Sequence, residues 1–186
     1  MKKALAEKGA VSEEAPLSHE AAFVALVEAY QGRLGRFLFG MVGNTEDARD
    51  LVQETFLRAY RHRHEFRLRT SPAAWLFTIA SNLARDYHRR RRVISFLPLL
   101  SLRQEVKVET PPVEESDQRT LVREVMASLP REMAECLYLY EVEGFKSPDL
   151  AKVLGISPEA VRQRVARARK RFRKAYRALE GGNSET

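Results

Sequence analysis

Two helix starts stand ten residues apart near the C-terminal end of this chain, Ser147-Pro148-Asp149 and Ser157-Pro158-Glu159, with Gly155 between them. A capping residue, a proline fixed at the helical φ and an acid facing the helix dipole together start a helix, and glycine admits a tight turn. Two short-linked helices must therefore meet at a corner. Ala151, Gly155 and Val161 fall at the spacing of a helix-turn-helix: a small residue where the helices touch, a glycine for the turn and an apolar anchor on the second helix. Leu150, Leu154 and Ile156 complete its core. On the second helix Val161, Val165, Ala168 and Phe172 run along one line. Glu159, Gln163, Ala166 and Lys170 lie opposite, flanked by Arg162 and Arg167, a face suited to a DNA major groove.

The charge distribution agrees with a polyanionic partner. Of 186 residues, 32 are Lys or Arg and 25 Asp or Glu, a formal net charge of +7. The excess sits in two patches: five arginines within 85–92, and nine basic residues within 157–177. Between them, residues 104–117 carry five acids and one lysine. Cys136 is the only cysteine, which excludes an internal disulfide and a cysteine-based zinc cluster; with Met133, Leu137 and Tyr140 around it, it reads as a small core residue. No P-loop, metal-ligand cluster or nucleophile-base pair occurs, so neither enzymatic activity nor a cofactor or metal is expected. No apolar run approaches the roughly 20 residues of a spanning helix, and no signal peptide follows Lys2 and Lys3. A soluble, cytoplasmic protein without membrane insertion is expected.

Toward the N-terminus, helical periodicity begins at Ser18 and runs through Leu26, Tyr30, Leu34, Phe37, Leu38 and Met41 to about Gly43. The next stretch, EDARDLVQETFLRAY, buries Ala48, Leu51, Val52, Thr55, Phe56 and Ala59 on one face. Its opposite face carries Glu46, Asp50, Gln53, Glu54 and an outward Leu57. Asn44 or Thr45 caps the helix and Glu46 and Asp47 complement its dipole, but the acids further in need another reason. They read either as solvated surface or as a dock for a basic partner. After a polar loop over 64–71, Ser71-Pro72 starts a third helix with Trp75 or Leu76, Ile79, Ala80, Leu83 and Tyr87 inward and its arginines outside. Residues 93–102, VISFLPLLSL, are apolar and read either as a helix extension packed on the first three helices or as a partner-binding segment. Leu121, Val122, Val125, Met126 and Leu129 mark a fourth helix, and Pro130 opens a fifth with Met133, Ala134, Leu137 and Tyr138 inward. The chain divides into a mobile tail (1–17), a first helical domain (18–92), a linker (93–117), a helix-turn-helix domain (118–178) and a second tail (179–186). The fold class is all-α, two small helical domains on a flexible linker.

Three motifs in this order, EDARDLVQETFLRAY, AWLFTIASNLARDYHRRRR and LPREMAECLYLYEVEGFKSPDLAKVLGISPEAVRQRVARARKRF, resemble a bacterial sigma factor of the extracytoplasmic-function group in the sigma-70 family. The resemblance covers roughly Ala22 to Tyr176. It implies a sigma-two and a sigma-four domain, an RNA polymerase subunit that directs promoter recognition, DNA melting and transcription initiation, and a stress or envelope regulon. Core polymerase is the implied partner through its beta-prime clamp helices and beta flap, together with promoter DNA and an anti-sigma factor. The implied polymerase-binding residues are Asp47, Asp50, Gln53, Glu54 and Leu57. Those for the minus-ten element are His64, Phe66, Arg67, Thr70, Ser71, Asn82, Arg85, Asp86 and Arg89; those for the minus-thirty-five element are Ser157, Glu159, Arg162, Gln163, Ala166, Arg167, Lys170 and Arg171. Where such proteins start the helix-turn-helix with glutamate, isoleucine and alanine, this chain has Asp149, Leu150 and Ala151, which keeps charge and apolarity. Two rivals remain at this level. A helix-turn-helix repressor or activator would protect palindromic DNA without polymerase, and a nuclease would hold magnesium with Asp47, Asp50 and Glu54.

Overall fold

Gly43, at φ +73, ends the first helix by a backbone turn that few other residues adopt without strain, and Asn44 starts the second by accepting the Asp47 amide on its side-chain oxygen at 2.9 Å. The computed structural model describes residues 19–63, 71–95 and 117–182. The helices are α1 (His19–Val42), α2 (Thr45–Arg61), α3 (Pro72–Ser95), α4 (Asp117–Ser128), α5 (Arg131–Glu141), α6 (Ser147–Leu154) and α7 (Pro158–Gly182). No strand occurs among the described residues, and no described helix is long and apolar enough to cross a membrane. The expected tail over 1–17, most of the loop over 64–71 and most of the linker lie outside the described residues.

The apolar stripes fold as their periodicity requires. Leu34, Phe37 and Leu38 of α1 are fully buried against Ala48, Thr55 and Ala59 of α2, and Leu76, Ala80 and Leu83 of α3 close this first layer. The Thr55 hydroxyl is satisfied inside its own helix, donating to the Leu51 carbonyl at 2.7 Å. In the second layer α7 packs on α4, α5 and α6. Leu150, Ala151 and Leu154 meet Val161, Val165 and Ala168 across the turn at Gly155, whose φ of +67 is the left-handed conformation the motif needs.

Four details differ from the expectations. Lys146, not Ser147, holds the N-cap position of α6, and it makes no side-chain cap bond, whereas Ser157 does accept the Ala160 amide at 3.1 Å. Val122 is 39% exposed, because α4 is short and packs on its neighbours through Val125 and Leu129. α7 runs past residue 178 to Gly182, since Ala178, Leu179 and Glu180 favour the helix, and α3 continues to Ser95. Last, the two layers share one core. α3 lies against α6 and α1 against α5, with Phe77 edge-on to both Phe37 (5.3 Å) and Phe145 (5.6 Å), and Phe37 at 5.7 Å from Tyr138. Each such ring pair adds about 0.5–1.5 kcal/mol beyond its buried area.

Candidate functional site

Charge on α2 is arranged by depth. Asp50, Gln53 and Leu57 stand exposed on its outer side, Leu57 at 44%. Glu54 is half-buried and accepts from Arg58 at 2.7 Å one helical turn on. Asp47 turns inward instead: its Oδ2 accepts the Tyr87 hydroxyl at 2.6 Å, joining the start of α2 to α3. Burial, then the Asp47 carboxylate, raise the Tyr87 phenol above its ordinary pKa. Arg91 donates to the same phenolic oxygen, and the His88 ring nitrogen sits 2.9 Å from the Met41 carbonyl. Thus the end of α3 is fixed to both α1 and α2. The expected docking face therefore keeps four outward members, with Asp47 acting as a tie between helices.

Along α3, Asn82, Arg85 and Arg89 are exposed and Asp86 half-buried. Arg85 donates to Asn82 at 3.1 Å and Arg89 pairs with Asp86 at 3.1 Å, so these side chains line one ridge. Ser71 is exposed at its head, where its carbonyl accepts the Trp75 amide. His64, Phe66, Arg67 and Thr70 lie outside the described residues.

On α7 the eight residues expected to bind the minus-thirty-five element, Ser157, Glu159, Arg162, Gln163, Ala166, Arg167, Lys170 and Arg171, are all exposed. Glu159 organises the head of this ridge. Arg162 Nε donates to it at 3.0 Å and Gln163 Nε2 at 3.3 Å. The Arg162 bond, then that of Gln163, hold the Glu159 carboxyl below its usual pKa. Other arginines of the helix face back into the protein: Arg164 pairs with Glu132 at 3.2 Å, and Arg169 pairs with Glu141 at 2.6 Å over the Tyr140 ring. The seven arginines of α7 are thus split between an outward ridge and a packing seam.

Sequence reasoning missed what only tertiary contact creates. Between the layers runs a groove of about 1360 Å³ bounded by α1, α2, α4, α5 and α7. Phe39, Met41, Val52, Met126 and Phe172 give it apolar walls, and Arg36, Arg49, Arg119, Arg123 and Arg173 stand along it. Cys136 is fully buried, and burial pushes its thiol up to about 11, as suits a core residue. No group of His, Cys, Asp and Glu capable of holding a metal occurs among the described residues, Asp47, Asp50 and Glu54 included.

Residues 26–93 match the family described as Sigma-70 region 2, and residues 119–172 match Sigma-70, region 4. The chain is 31% identical over 154 residues to a probable RNA polymerase sigma factor, RfaY, of Xanthomonas campestris pv. campestris, covering 80% of this chain. It spans only 38% of that relative's length. It is 34% identical over 145 residues to the ECF RNA polymerase sigma factor EcfG of Rhodopseudomonas palustris, covering 75% of this chain and 76% of the relative. In fold it is similar to the sigma factor RpoE from Bartonella quintana, solved in complex with the anti-sigma factor NepR, at a TM-score of 0.72 and 24% identity over 84% of this chain and 97% of that one.

Proposed function

Because the chain belongs to the sigma-70 family, in its extracytoplasmic-function group, we propose that it is the promoter-recognition subunit of RNA polymerase, directing where transcription starts. The observation that carries this reading is the simultaneous outward display of three surfaces: the acidic side of α2, the polar ridge of α3 and the basic ridge of α7. Asp50, Gln53, Glu54 and Leu57 dock on the beta-prime clamp helices. The ridge of Asn82, Arg85, Asp86 and Arg89, with the preceding loop, holds the melted minus-ten strand, where an unstacked base is captured by stacking and edge contacts. The head of α7 reads the minus-thirty-five duplex. This chain itself carries out no bond-making step; it supplies position and binding. An anti-sigma partner fits the same reading, since the apolar groove with arginines along it suits the acidic amphipathic helix of such a protein. Gel filtration with core polymerase, followed by promoter-dependent run-off transcription, tests the assignment. Co-elution and promoter-specific transcripts are expected; footprinting of a palindromic site by the chain alone, without either, would instead make it a repressor or activator.

Reading and holding separate along α7. Arg162 and Gln163 stand near its N-terminal end, which approaches base edges in this motif, whereas Arg171 and Arg173 come nearly three turns later, where phosphates are met. In reconstituted holoenzyme, Arg162→Ala or Gln163→Ala should cost about 1–3 kcal/mol at the preferred site and relax choice at one or two upstream positions. Arg171→Ala or Arg173→Ala should weaken all sequences alike and flatten the salt dependence by about one unit per lost contact. Selection from a randomised upstream element at two salt concentrations measures both. Unchanged sequence preference in the Arg162 variant would make α7 a phosphate clamp only.

A further inference from the structure

The groove between the layers sets narrow terms for whatever binds in it. Val122, 39% exposed, and Val142, 62% exposed, stand in its wall with Phe39, Met41, Met126 and Phe172. Among the described residues that line it, Glu141 is the sole carboxylate, and Arg169 holds it at 2.6 Å. Arg36, Arg49, Arg119, Arg123 and Arg173 leave the lining strongly positive. An occupant must therefore bring large apolar side chains together with acids.

The chain's own residues 96–116, which lie outside the described residues, have this composition. Phe96, Leu97, Leu99, Leu100 and Leu102 fall within seven residues, and Glu105, Glu109, Glu114 and Glu115 follow, against Arg103 and Lys107. The segment is also tied to the groove at both ends. It leaves α3, whose His88 lies 2.9 Å from the carbonyl of the lining residue Met41 and whose Tyr87 donates to Asp47, next to the lining residue Ala48. From His88 to the end of this helix at Ser95 is about 10 Å. The segment then enters α4 at Asp117, and α4 lines the groove from Arg119 onward. Its 21 residues reach about 70 Å when extended, ample to pass along the groove between these two points. Attachment at both ends makes docking intramolecular, at an effective concentration on the order of millimolar, which favours this occupant over a second copy of the chain.

We propose that the groove is the docking site of the chain's own segment 96–116, with the apolar residues 96–102 seated between α1, α4 and α7 and the acids that follow them set against the arginines. This stands on the groove and the segment alone and does not depend on the promoter-recognition reading. It makes the chain a tethered competitor for its own groove. Any separate acidic, amphipathic partner drawn there binds with an affinity lowered by the fraction of chains in which the segment is docked.

Full-length protein carrying p-benzoylphenylalanine in place of Phe96 is irradiated, and the crosslinks are mapped by mass spectrometry. They should fall within one chain, on groove residues such as Val122, Met126 and Phe172, with a yield independent of protein concentration. Val122→Glu, at an exposed position of α4, should cut that yield several-fold while circular dichroism shows unchanged helix content. A second measurement uses the dye anilinonaphthalene sulfonate, an apolar anion matched to the groove. Its fluorescence should rise several-fold when Leu97→Ser is combined with Leu100→Ser, because the segment no longer competes. Crosslinks that join two chains and grow with concentration would make the groove an interface between copies. Crosslinks confined to other parts of the chain, or none, would leave it to a separate partner. Each of these results overturns the proposal, as does an unchanged yield in the Val122 variant or dye fluorescence equal to wild type in the serine variant. Gel filtration with core polymerase tests the promoter-recognition reading separately, and its failure would leave the crosslink map standing.

Discussion

Asp50→Lys combined with Glu54→Lys should abolish capture of core RNA polymerase and leave the helix content unchanged. Asp50 is exposed, and Glu54 gives up one i,i+4 pair with Arg58, worth about 0.3–0.5 kcal/mol. A lysine at position 54 adds like-charge repulsion of similar size. Folding therefore loses about 1 kcal/mol at most. Docking should lose far more, because on the proposed docking two reversed charges would face a basic partner, and like-charge juxtaposition at an interface costs several kcal/mol. Asp47 is left intact in this variant, since its carboxylate holds Tyr87 and its loss would confuse docking with folding. A pull-down with core polymerase, paired with circular dichroism, reads both effects. Capture at wild-type strength would move the docking surface elsewhere.

Phe77→Ala should be the most damaging single truncation in the fold. The ring is fully buried, touches Phe37 and Phe145 edge-on and lies beneath the Arg33 guanidinium. Removing a buried phenyl ring costs about 3–5 kcal/mol, against a total stability of about 5–15 kcal/mol. For a chain of this size the midpoint of thermal unfolding should fall by about 10 °C. A loss under about 1 kcal/mol in a denaturant titration would mean that the ring is not enclosed by both layers in solution.

Phe77 also marks the limit of what periodicity could reveal. Spacing along α3 identified Leu76, Ala80 and Leu83, the stripe that meets α1 and α2, and these are buried. It passed over Phe77 because a second stripe is needed only when another body packs on the other side, and that body is α6 with Phe145, close to 70 residues later in sequence. Glu135 was illegible for the same reason: a glutamate among Met133, Ala134 and Leu137 reads as surface until Arg85 is known to answer it. Conversely, α2 and the helix-turn-helix were legible nearly to the residue. Their signals are local: the Asn44 cap, the stripe from Ala48 to Ala59, and Gly155 between Ala151 and Val161. Apart from Asp47, the candidate residues on those elements could be placed on outward faces from sequence, whereas the groove between layers could not, since no single segment encodes it.

The ties at the end of α3 bear on which length changes the chain can survive. Tyr87 reaches Asp47 and His88 reaches the Met41 carbonyl, so this helix is indexed to its neighbours at two consecutive residues. One residue inserted between Leu83 and Tyr87 would rotate everything beyond it by about 100° and advance it by about 1.5 Å, carrying both side chains off their partners. Drift by insertion or deletion is thereby barred within α3, while exchange of outward side chains such as Asn82 and Arg89 stays open. New surface chemistry on this helix must arise by replacing letters in place, never by changing its reading frame of turns.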